Sequence, residues 1–213
     1  MVILDLVLNA APGTPVLTID TGRLPEATHQ MIASIEARYG IRVEKIRPDA
    51  DEVDSMVSLY GRDLFRDSVA HRTLCCNIRK VRPLARRMRD FAAYFTGLRR
   101  SQNEARAGVE YFDREASPVK ISPLADWSAA DVLAYTREKA LPEHPLYAAG
   151  YASIGCDPCS RAIAAGEDER AGRWWWEQDA QKECGLHFTP DGRAERTVDI
   201  LLRDVLRNTK AVA

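Results

Sequence analysis

The stretch that decides the fold of this chain is Pro15-Val16-Leu17-Thr18-Ile19-Asp20-Thr21-Gly22. Its run of apolar and β-branched residues is typical of a parallel strand that is buried on both faces, and Asp20-Thr21-Gly22 supplies the turn that ends it. Residues 25–39 follow with apolar side chains at helical spacing, and Gly40 marks the end of that helix. The sequence therefore predicts a strand, a turn and a helix in succession.

The same alternation continues along the chain. Residues 41–46 predict a second strand, and residues 49–59 predict a helix with acidic residues in its first turn. Residues 91–96 predict a further strand that ends at Gly97. Repeated alternation of strands and helices implies an α/β fold with a doubly wound, mostly parallel sheet, whose ligand lies beyond the carboxyl ends of the strands.

The remaining elements have weaker signals, with one exception. We predict basic helical stretches at 66–73 and 78–89, short strands at 109–113 and 119–121, and a buried helix end or strand at 2–10. The exception is Ser128, which is placed to cap a helix that runs to about Lys139, with Asp131 in the position of the capping-box glutamate.

Length and charge limit the class of protein. The chain has 213 residues, of which 46% are hydrophobic, and we interpret it as one domain. Its 30 basic and 31 acidic side chains give a formal charge of −1, so no overall field attracts nucleic acid or a membrane surface. Its apolar stretches are too short to span a bilayer and its start has no secretory signal, so we expect a cytoplasmic protein.

The five cysteines fall into three groups: the adjacent pair Cys75-Cys76, the Cys-x-x-Cys pair Cys156 and Cys159, and a lone Cys184. A tetrahedral zinc site holds its sulfurs about 3.8 Å apart, whereas the thiolates on a four-iron cube are roughly 6 Å apart. Neighbouring side chains on a helix diverge by about 100°, so Cys75-Cys76 favours the cube. The Cys-x-x-Cys pair fits either metal site and, alone, also fits a thioredoxin-like redox motif.

Eight short motifs together resemble one family across essentially the whole chain. They are Thr18–Leu24, Cys75–Val81, Thr96–Gln102, Trp127-Ser128, His144–Tyr147, Cys156–Cys159, Arg170–Trp175 and Glu183–His187. The chain resembles the assimilatory adenylyl-sulfate reductases, which lie within the wider phosphoadenylyl-sulfate reductase family and have the adenine-nucleotide α-hydrolase-like fold.

The resemblance implies a reaction centred on Cys184. Its thiolate would attack the sulfur of adenylyl sulfate, displace AMP and carry an S-sulfonate, from which thioredoxin or a glutaredoxin-like dithiol releases sulfite. By the same resemblance, residues 183–187 form a flexible catalytic segment that closes over the substrate, with His187 near the phosphosulfate. The expected enzyme is a thioredoxin-dependent oxidoreductase of sulfate assimilation.

The resemblance also assigns the other site residues. Cys75, Cys76, Cys156 and Cys159 would hold a [4Fe-4S] cluster. The phosphosulfate oxygens would be held by Arg106, Arg170 and Arg173, adenine would meet Gly97 and the Ile19 backbone, and Lys80 would lie between cluster and substrate. A cluster favours adenylyl sulfate as substrate, and phosphoadenylyl sulfate, reduced by the same mechanism, is the alternative.

One departure from the family concerns the start of the chain. Family members carry, ahead of the segment that begins here at Met1, a first strand and a Ser/Gly-rich loop that cradles phosphate. We therefore expect an N-terminally incomplete reductase domain over residues 1–213. The missing loop keeps a second class of function open, a noncatalytic iron–sulfur or zinc binding module. The sequence also leaves open whether the protein is a homo-oligomer.

Overall fold

The computed structural model describes residues 1–102 and 106–177, together with the backbone of residues 186–188 and 194–196. The helices are α1 (Val2–Ala10), α2 (Glu26–Tyr39), α3 (Ala50–Tyr60), α4 (Val69–Cys76), α5 (Arg82–Met88), α6 (Ala129–Glu138) and α7 (Pro145–Ala148). The strands are β1 (Val16–Ile19), β2 (Val43–Ile46), β3 (Ala93–Phe95), β4 (Phe112–Asp113), β5 (Val119–Ile121), β6 (Leu186–Phe188) and β7 (Ala194–Arg196). Short 3₁₀ turns lie at Leu64–Arg66, Arg100–Gln102 and Asp157–Cys159.

The first half follows the predicted alternation from β1 to α3. Strands β1 and β2 pair in parallel, with Val16 opposite Val43. Gly40 ends α2 in the left-handed conformation at φ 62°, which glycine adopts without strain. The Asp49 side chain caps α3 by accepting a hydrogen bond from the Glu52 N–H. The strand, turn and helix predicted from residues 15–40 are therefore confirmed.

The second half contains a small mixed sheet. Strand β3 is parallel to β5, and β4 is antiparallel to β5. The α/β class with parallel strand pairs is confirmed, but among the described residues β1 and β2 form a sheet separate from β3, β4 and β5. The capping box of α6 is also confirmed, since Ser128 and Asp131 exchange both hydrogen bonds.

A cavity of about 410 Å³ separates the two sheets. One wall is formed by Val16 and Leu17 of β1 and the opposite wall by residues 93–95 of β3. Helix α1 covers it from one side, and the rest of the lining is mostly apolar. We call this cavity the strand slot. Phe95 is 45% exposed beside it, although side chains of parallel strands are normally buried.

The adjacent cysteines lie inside a nearly continuous helical stretch, whereas the helices predicted at 66–73 and 78–89 would leave them between two helices; that part of the prediction is wrong. Cys75 and Cys76 end α4, and a π-helical turn, Asn77–Val81, joins α4 directly to α5. The turn widens because the Arg82 N–H donates to the carbonyl of Asn77, five residues back. Pro83, which has no N–H, follows at the start of α5.

In the described part of the chain, no helix is long and apolar enough to cross a bilayer.

Candidate functional site

Both cysteine pairs meet at one place in the fold. Cys75 and Cys76 come from the end of α4, whereas Cys156 precedes the 3₁₀ turn Asp157–Cys159 and Cys159 ends it. All four are buried and none forms a disulfide. Together they line a narrow void, which we call the cysteine void. Its other lining residues are Arg23, Phe65, Arg79, Lys80, Pro158 and Trp174.

The turn after β1 contacts the cysteine void directly. The hydroxyl of Thr21 lies 3.2 Å from the Cys156 sulfur, and the Thr21 carbonyl accepts a hydrogen bond of 2.8 Å from Arg79. The next residue, Gly22, has φ 70°, which lets the chain turn here beside the Arg79 guanidinium. The strand end predicted from sequence is thereby joined to both cysteine pairs.

Burial and nearby charges shift the pKa values of two of these thiols, Cys75 and Cys159. Burial raises the pKa of Cys75, and the Arg79 guanidinium partly offsets that rise. Burial and the neighbouring Cys156 raise the pKa of Cys159 to about 11, against the opposing charges of Lys80 and Arg173. Both shifts favour the protonated thiol at neutral pH.

The donors around the void fit an anionic, sulfur-rich group. Arg79 and Trp174 both line the void, and each has one buried N–H, Nε and Nε1, without a hydrogen-bond partner in the described part of the structure. Such donors suit the sulfur acceptors of a cluster. Within residues 1–102 and 106–177, no three histidine, cysteine, aspartate or glutamate side chains are grouped to hold a single metal ion.

A mostly apolar pocket of about 410 Å³ opens at the carboxyl ends of β1 and β2. Its walls include Ile19, Thr21 and Ile46, and it shares Lys80 and Cys156 with the cysteine void. We call it the strand-end pocket. Its position agrees with the rule that ligands of open α/β sheets bind beyond the carboxyl ends of the strands. It is wide and apolar enough to take a planar base.

Asp20 follows β1, between the pocket-lining residues Ile19 and Thr21, and is buried with its charge compensated. Burial alone would raise the pKa of its carboxyl group, but the Gly22 N–H and the Arg47 guanidinium outweigh that effect and hold the pKa below its usual value. The Arg47 Nε lies 3.0 Å from a carboxylate oxygen of Asp20. Asp20 therefore acts as an ionised acceptor that shapes the turn.

A larger pocket of about 990 Å³ adjoins the strand-end pocket through Leu24 and Gly155. Two of the predicted substrate residues, Arg106 and Arg170, line it. We call it the arginine pocket. It also contains His144, which caps α7 by accepting the Leu146 N–H at Nδ1 and contacts the Thr28 hydroxyl at 3.0 Å through Nε2. Neither this histidine nor its partner was predicted as a site residue.

Two predicted substrate residues lie elsewhere. Arg173 is buried beside the CxxC turn, where its Nε donates to the Cys159 carbonyl at 3.1 Å. Its guanidinium packs so closely on Gly155 that any Cβ there would overlap it. Gly97 follows β3, and a Cβ on it would lie 3.6 Å from Ile3 of α1. Neither residue lines the arginine pocket or the strand-end pocket.

Sequence reasoning assigned no role to the three consecutive tryptophans. Trp174 is 1% exposed and lines the cysteine void, whereas Trp175 is 37% exposed. Of these two neighbours, Trp174 therefore packs in the core and Trp175 lies at the surface. Trp174 directly follows Arg173 in the motif Arg170–Trp175, but no local feature of the sequence distinguishes it from Trp175 and Trp176.

Two predicted residues cannot be placed. Cys184 lies outside the described residues, and for His187 only the backbone, within β6, is described. The structure thus brings together the four predicted cluster cysteines with Lys80 and Ile19, and it places Arg106 and Arg170 in the adjoining pocket.

Comparison with known proteins gives a consistent result. A family model described as the phosphoadenosine phosphosulfate reductase domain matches residues 1–162. An adenosine 5′-phosphosulfate reductase of Agrobacterium fabrum is 45% identical over 190 residues, which cover 86% of this chain and 73% of that protein. One from Allochromatium vinosum is 46% identical over 189 residues, covering 88% and 74%.

A solved structure is also similar. The phosphoadenylyl-sulfate reductase of Candida auris, crystallised as a phosphate complex, superimposes with a TM-score of 0.59 at 28% sequence identity. The match covers 76% of this chain and 77% of that chain.

Proposed function

This chain belongs to the phosphoadenosine phosphosulfate reductase family, and from that premise we propose that it reduces adenylyl sulfate to sulfite and AMP. The observation that carries the proposal is the shared wall between two sites. Lys80 and Cys156 line both the cysteine void and the strand-end pocket, so a nucleotide in the pocket lies against Lys80 and against one of the four cysteines. Its phosphosulfate then extends toward Arg106 and Arg170 in the arginine pocket.

The proposed reaction transfers a sulfonate group to Cys184. The Cys184 thiolate attacks the sulfur atom, the bond from that sulfur to the bridging oxygen breaks, and AMP leaves with the bond's electrons. Arginine and lysine side chains stabilise the charge that develops on the leaving phosphate. One thiolate of a thioredoxin- or glutaredoxin-type dithiol then attacks the Cys184 sulfur, the bond from that sulfur to the sulfonate breaks, sulfite departs and a mixed disulfide forms. The second thiol of the dithiol attacks this mixed disulfide and releases the Cys184 thiolate. The dithiol ends as a disulfide, so it supplies both electrons.

The four cysteines of the void would hold a [4Fe-4S] cluster. Support comes from their common burial, from the cations Arg23, Arg79 and Lys80 around them, and from the unpartnered N–H groups of Arg79 and Trp174. The cluster would supply a fixed charge distribution beside Lys80, while the reducing equivalents come from the dithiol. The chain's own contribution is to orient Lys80 toward the strand-end pocket and to keep the sulfurs buried.

The test is a mass measurement on the intact protein. Incubation with adenylyl sulfate without dithiol should add one sulfite-sized group, and added thioredoxin should remove it with release of sulfite. Incubation with AMP and inorganic sulfate is the matched control and should leave the mass unchanged. An adduct that persists in Cys184→Ser, or no adduct on a protein that carries its cluster, would contradict the proposal. The second result would favour the noncatalytic iron–sulfur module.

The substrate's 3′ position distinguishes the two nucleotide alternatives. Lys80 is the single cation that lines the strand-end pocket within the described residues, and it faces the cysteines as well. A 3′-phosphate would need a further cation, so adenylyl sulfate fits better than phosphoadenylyl sulfate. Comparison of kcat/KM for the two nucleotides decides this point. A cytoplasmic location stays a prediction, and it is supported by Cys75, Cys76, Cys156 and Cys159, which form no disulfide and so fit a reducing compartment.

We also propose that the domain includes one more strand ahead of α1, as the resemblance implies. The strand slot supports this proposal. Strands β1 and β3 face the slot, and within the described chain each pairs with another strand only along its edge away from the slot. Ile3, near the start of α1, lies beside Gly97 at the carboxyl end of β3. A strand that leads into α1 from there would run parallel to β3 and complete a right-handed βαβ unit with β1.

A further inference from the structure

A buried ion pair lies immediately behind the cysteine void. Arg72 Nε donates to Glu177 Oε1 at 2.5 Å, and the two side chains retain only 2% and 5% of their exposure. Arg72 precedes Cys75 by three residues on α4, so it lies about one turn from the adjacent cysteines and on the same side of the helix. Glu177 belongs to the segment that follows the CxxC turn. The pair therefore connects the two parts of the chain that supply the cysteines.

Both members of the pair contact Trp174, Arg72 through its guanidinium and Glu177 through its backbone N–H. The Arg72 guanidinium lies 4.4 Å from the centre of a Trp174 ring, and the Arg173 guanidinium lies 4.8 Å from it. Trp174 has φ 42°, a left-handed conformation that a bulky residue adopts only when its surroundings enforce it. The Glu177 N–H closes this turn by donating to the Trp174 carbonyl at 2.9 Å. Arg72 and Glu177 thus hold a strained residue that lines the cysteine void.

The segment around Trp174 is anchored on its other side to the CxxC turn. Arg173 forms an antiparallel bridge with Ser160 and donates to the Cys159 carbonyl. The Arg161 N–H donates to the Gly172 carbonyl, and a Cβ on Gly172 would overlap the Arg161 carbonyl oxygen. Cys159 is therefore connected through residues 172–177 to Arg72, and through α4 to Cys75. This connection is continuous from one cysteine pair to the other.

Stability alone is a weak reason for such a pair. Two charges lose their hydration on burial, and an apolar pair of similar size often gives equal or greater stability. The pair is also incompletely satisfied, since Arg72 Nη2 and Glu177 Oε2 have no hydrogen-bond partner in the described structure. An apolar pair has no hydrogen bond of fixed direction, so it would not set the orientation of the Trp174 turn relative to α4.

We propose that Arg72 and Glu177 are a positioning pair, which sets the distance between the two cysteine pairs to that required by the bound iron–sulfur group. The inference rests on the proposed function for the identity of that group. Neither residue touches substrate, so neither is a catalytic residue.

The test compares single and double variants in the iron-loaded protein. In Arg72→Met and Glu177→Leu, one charge stays buried without its partner, so both should unfold at lower temperature and release iron to a chelator about 10-fold faster. The double variant Arg72→Met/Glu177→Leu has an apolar pair instead. Its melting temperature should return close to that of the unchanged protein, while its iron release should stay about 10-fold faster.

Recovery of both properties in the double variant would overturn the proposal, because the pair would then be purely structural. Arg87→Met is the matched control, since Arg87 forms an ion pair with Glu44 on the surface, and its iron release should be unchanged. A protein that never takes up iron would refute the proposed cluster instead. In that case the alkylation rates of Cys75 and Cys159 in the metal-free protein test the pair: they should rise in the double variant, and equal rates would overturn the inference.

Discussion

The hydroxyl of Thr21 and the sulfur of Cys156 lie 3.2 Å apart, although 135 residues separate them in the sequence. Thr21 belongs to the turn at the end of β1, and Cys156 begins the CxxC turn. Both residues also line the strand-end pocket. The contact therefore joins the proposed nucleotide pocket to the proposed cluster site through a single hydrogen bond.

The first prediction concerns this contact. Thr21→Val keeps the shape of the side chain and removes the hydroxyl, so a thiolate at Cys156 loses its donor. We expect iron release from the loaded protein to a chelator to accelerate about tenfold, at the lower limit for residues that support metal ligands. Thr14→Val is the control, because the Thr14 hydroxyl bonds only a nearby carbonyl on the surface. Equal release from the unchanged protein and Thr21→Val would show that the hydroxyl does not support the sulfur.

A second prediction concerns Asp5, a buried carboxylate of α1. It accepts hydrogen bonds from the hydroxyls of Tyr39 and Tyr135, both at 2.8 Å, and from the Asn9 amide. Asp5→Ala removes all three acceptor contacts and leaves two half-buried hydroxyls, so the free energy of unfolding should fall by about 2–4 kcal/mol. Urea denaturation measures this change.

The control for Asp5→Ala is Asp54→Ala, at an exposed position of α3, which should change the unfolding free energy by less than about 0.5 kcal/mol. Tyr135→Phe removes only one donor and should cost about 1 kcal/mol. If Asp5→Ala costs no more than Tyr135→Phe, the carboxylate does not organise the contact between α1, α2 and α6.

A third prediction concerns pH and His144. Burial lowers the pKa of this histidine, so its folded-state pKa lies below the ordinary value of about 6.5. The unfolded chain then binds the proton more readily, and the stability contributed by the neutral ring is lost as pH falls below about 6.5. Protonation also removes the Nδ1 acceptor that caps α7.

His144→Asn separates these effects, because asparagine can cap a helix but does not titrate in this range. Its unfolding free energy should depend less on pH between 7 and 5 than that of the unchanged protein. Urea denaturation at several pH values measures the difference. The same pH dependence in both proteins would mean that another group is responsible.

A fourth prediction concerns the strand slot. A synthetic heptapeptide with lysine at each end and valine and isoleucine between them should bind in the strand slot as an extended strand. It can hydrogen-bond to the edges of β1 and β3 that face the slot. The same peptide with proline at its centre should bind weakly, since proline removes a donor from the ladder. Hydrogen exchange measures the protection of residues 16–19 and 93–95.

A strand inserted into the strand slot should protect the edges of both β1 and β3, so residues 16–19 and 93–95 must gain protection together. Phe95→Asp places a charge in the apolar wall and should abolish the protection, whereas Leu59→Asp, at an exposed position of α3, should leave it unchanged. Protection that is equal with the proline peptide, or confined to one of the two strands, would contradict the proposal of an inserted strand.

Several features could be predicted because their signals are local. Gly40 ends α2, Ser128 and Asp131 form a capping box, and residues 16–19 form a parallel strand, each as expected from the neighbouring residues. These outcomes depend on backbone conformation and on hydrogen bonds within a few residues. The grouping of the four cluster cysteines was also predicted, from their spacing and from the family resemblance.

Other features could not be predicted because they depend on packing between distant segments. The packing of Arg173 against Gly155 and its hydrogen bond to the Cys159 carbonyl were not predicted, and its predicted role in holding substrate stays a prediction. No local rule distinguishes an arginine that faces a pocket from one that packs under a turn. The π-helical turn after Cys76 was missed for a related reason, since a bond across five residues is rare and has no periodic signal.

By itself, the sequence determined the α/β class and the alternation of its first half, because periodicity, caps and residue spacing act over short distances along the chain. The association of the two cysteine pairs was predicted through the family resemblance. Only the tertiary structure decided that Thr21 contacts Cys156, that Arg72 pairs with Glu177, and that the sheet is split by a slot. Those relationships join residues far apart in sequence. Their existence depends on how whole elements pack, and packing is determined by the sum of many weak contacts rather than by any one motif.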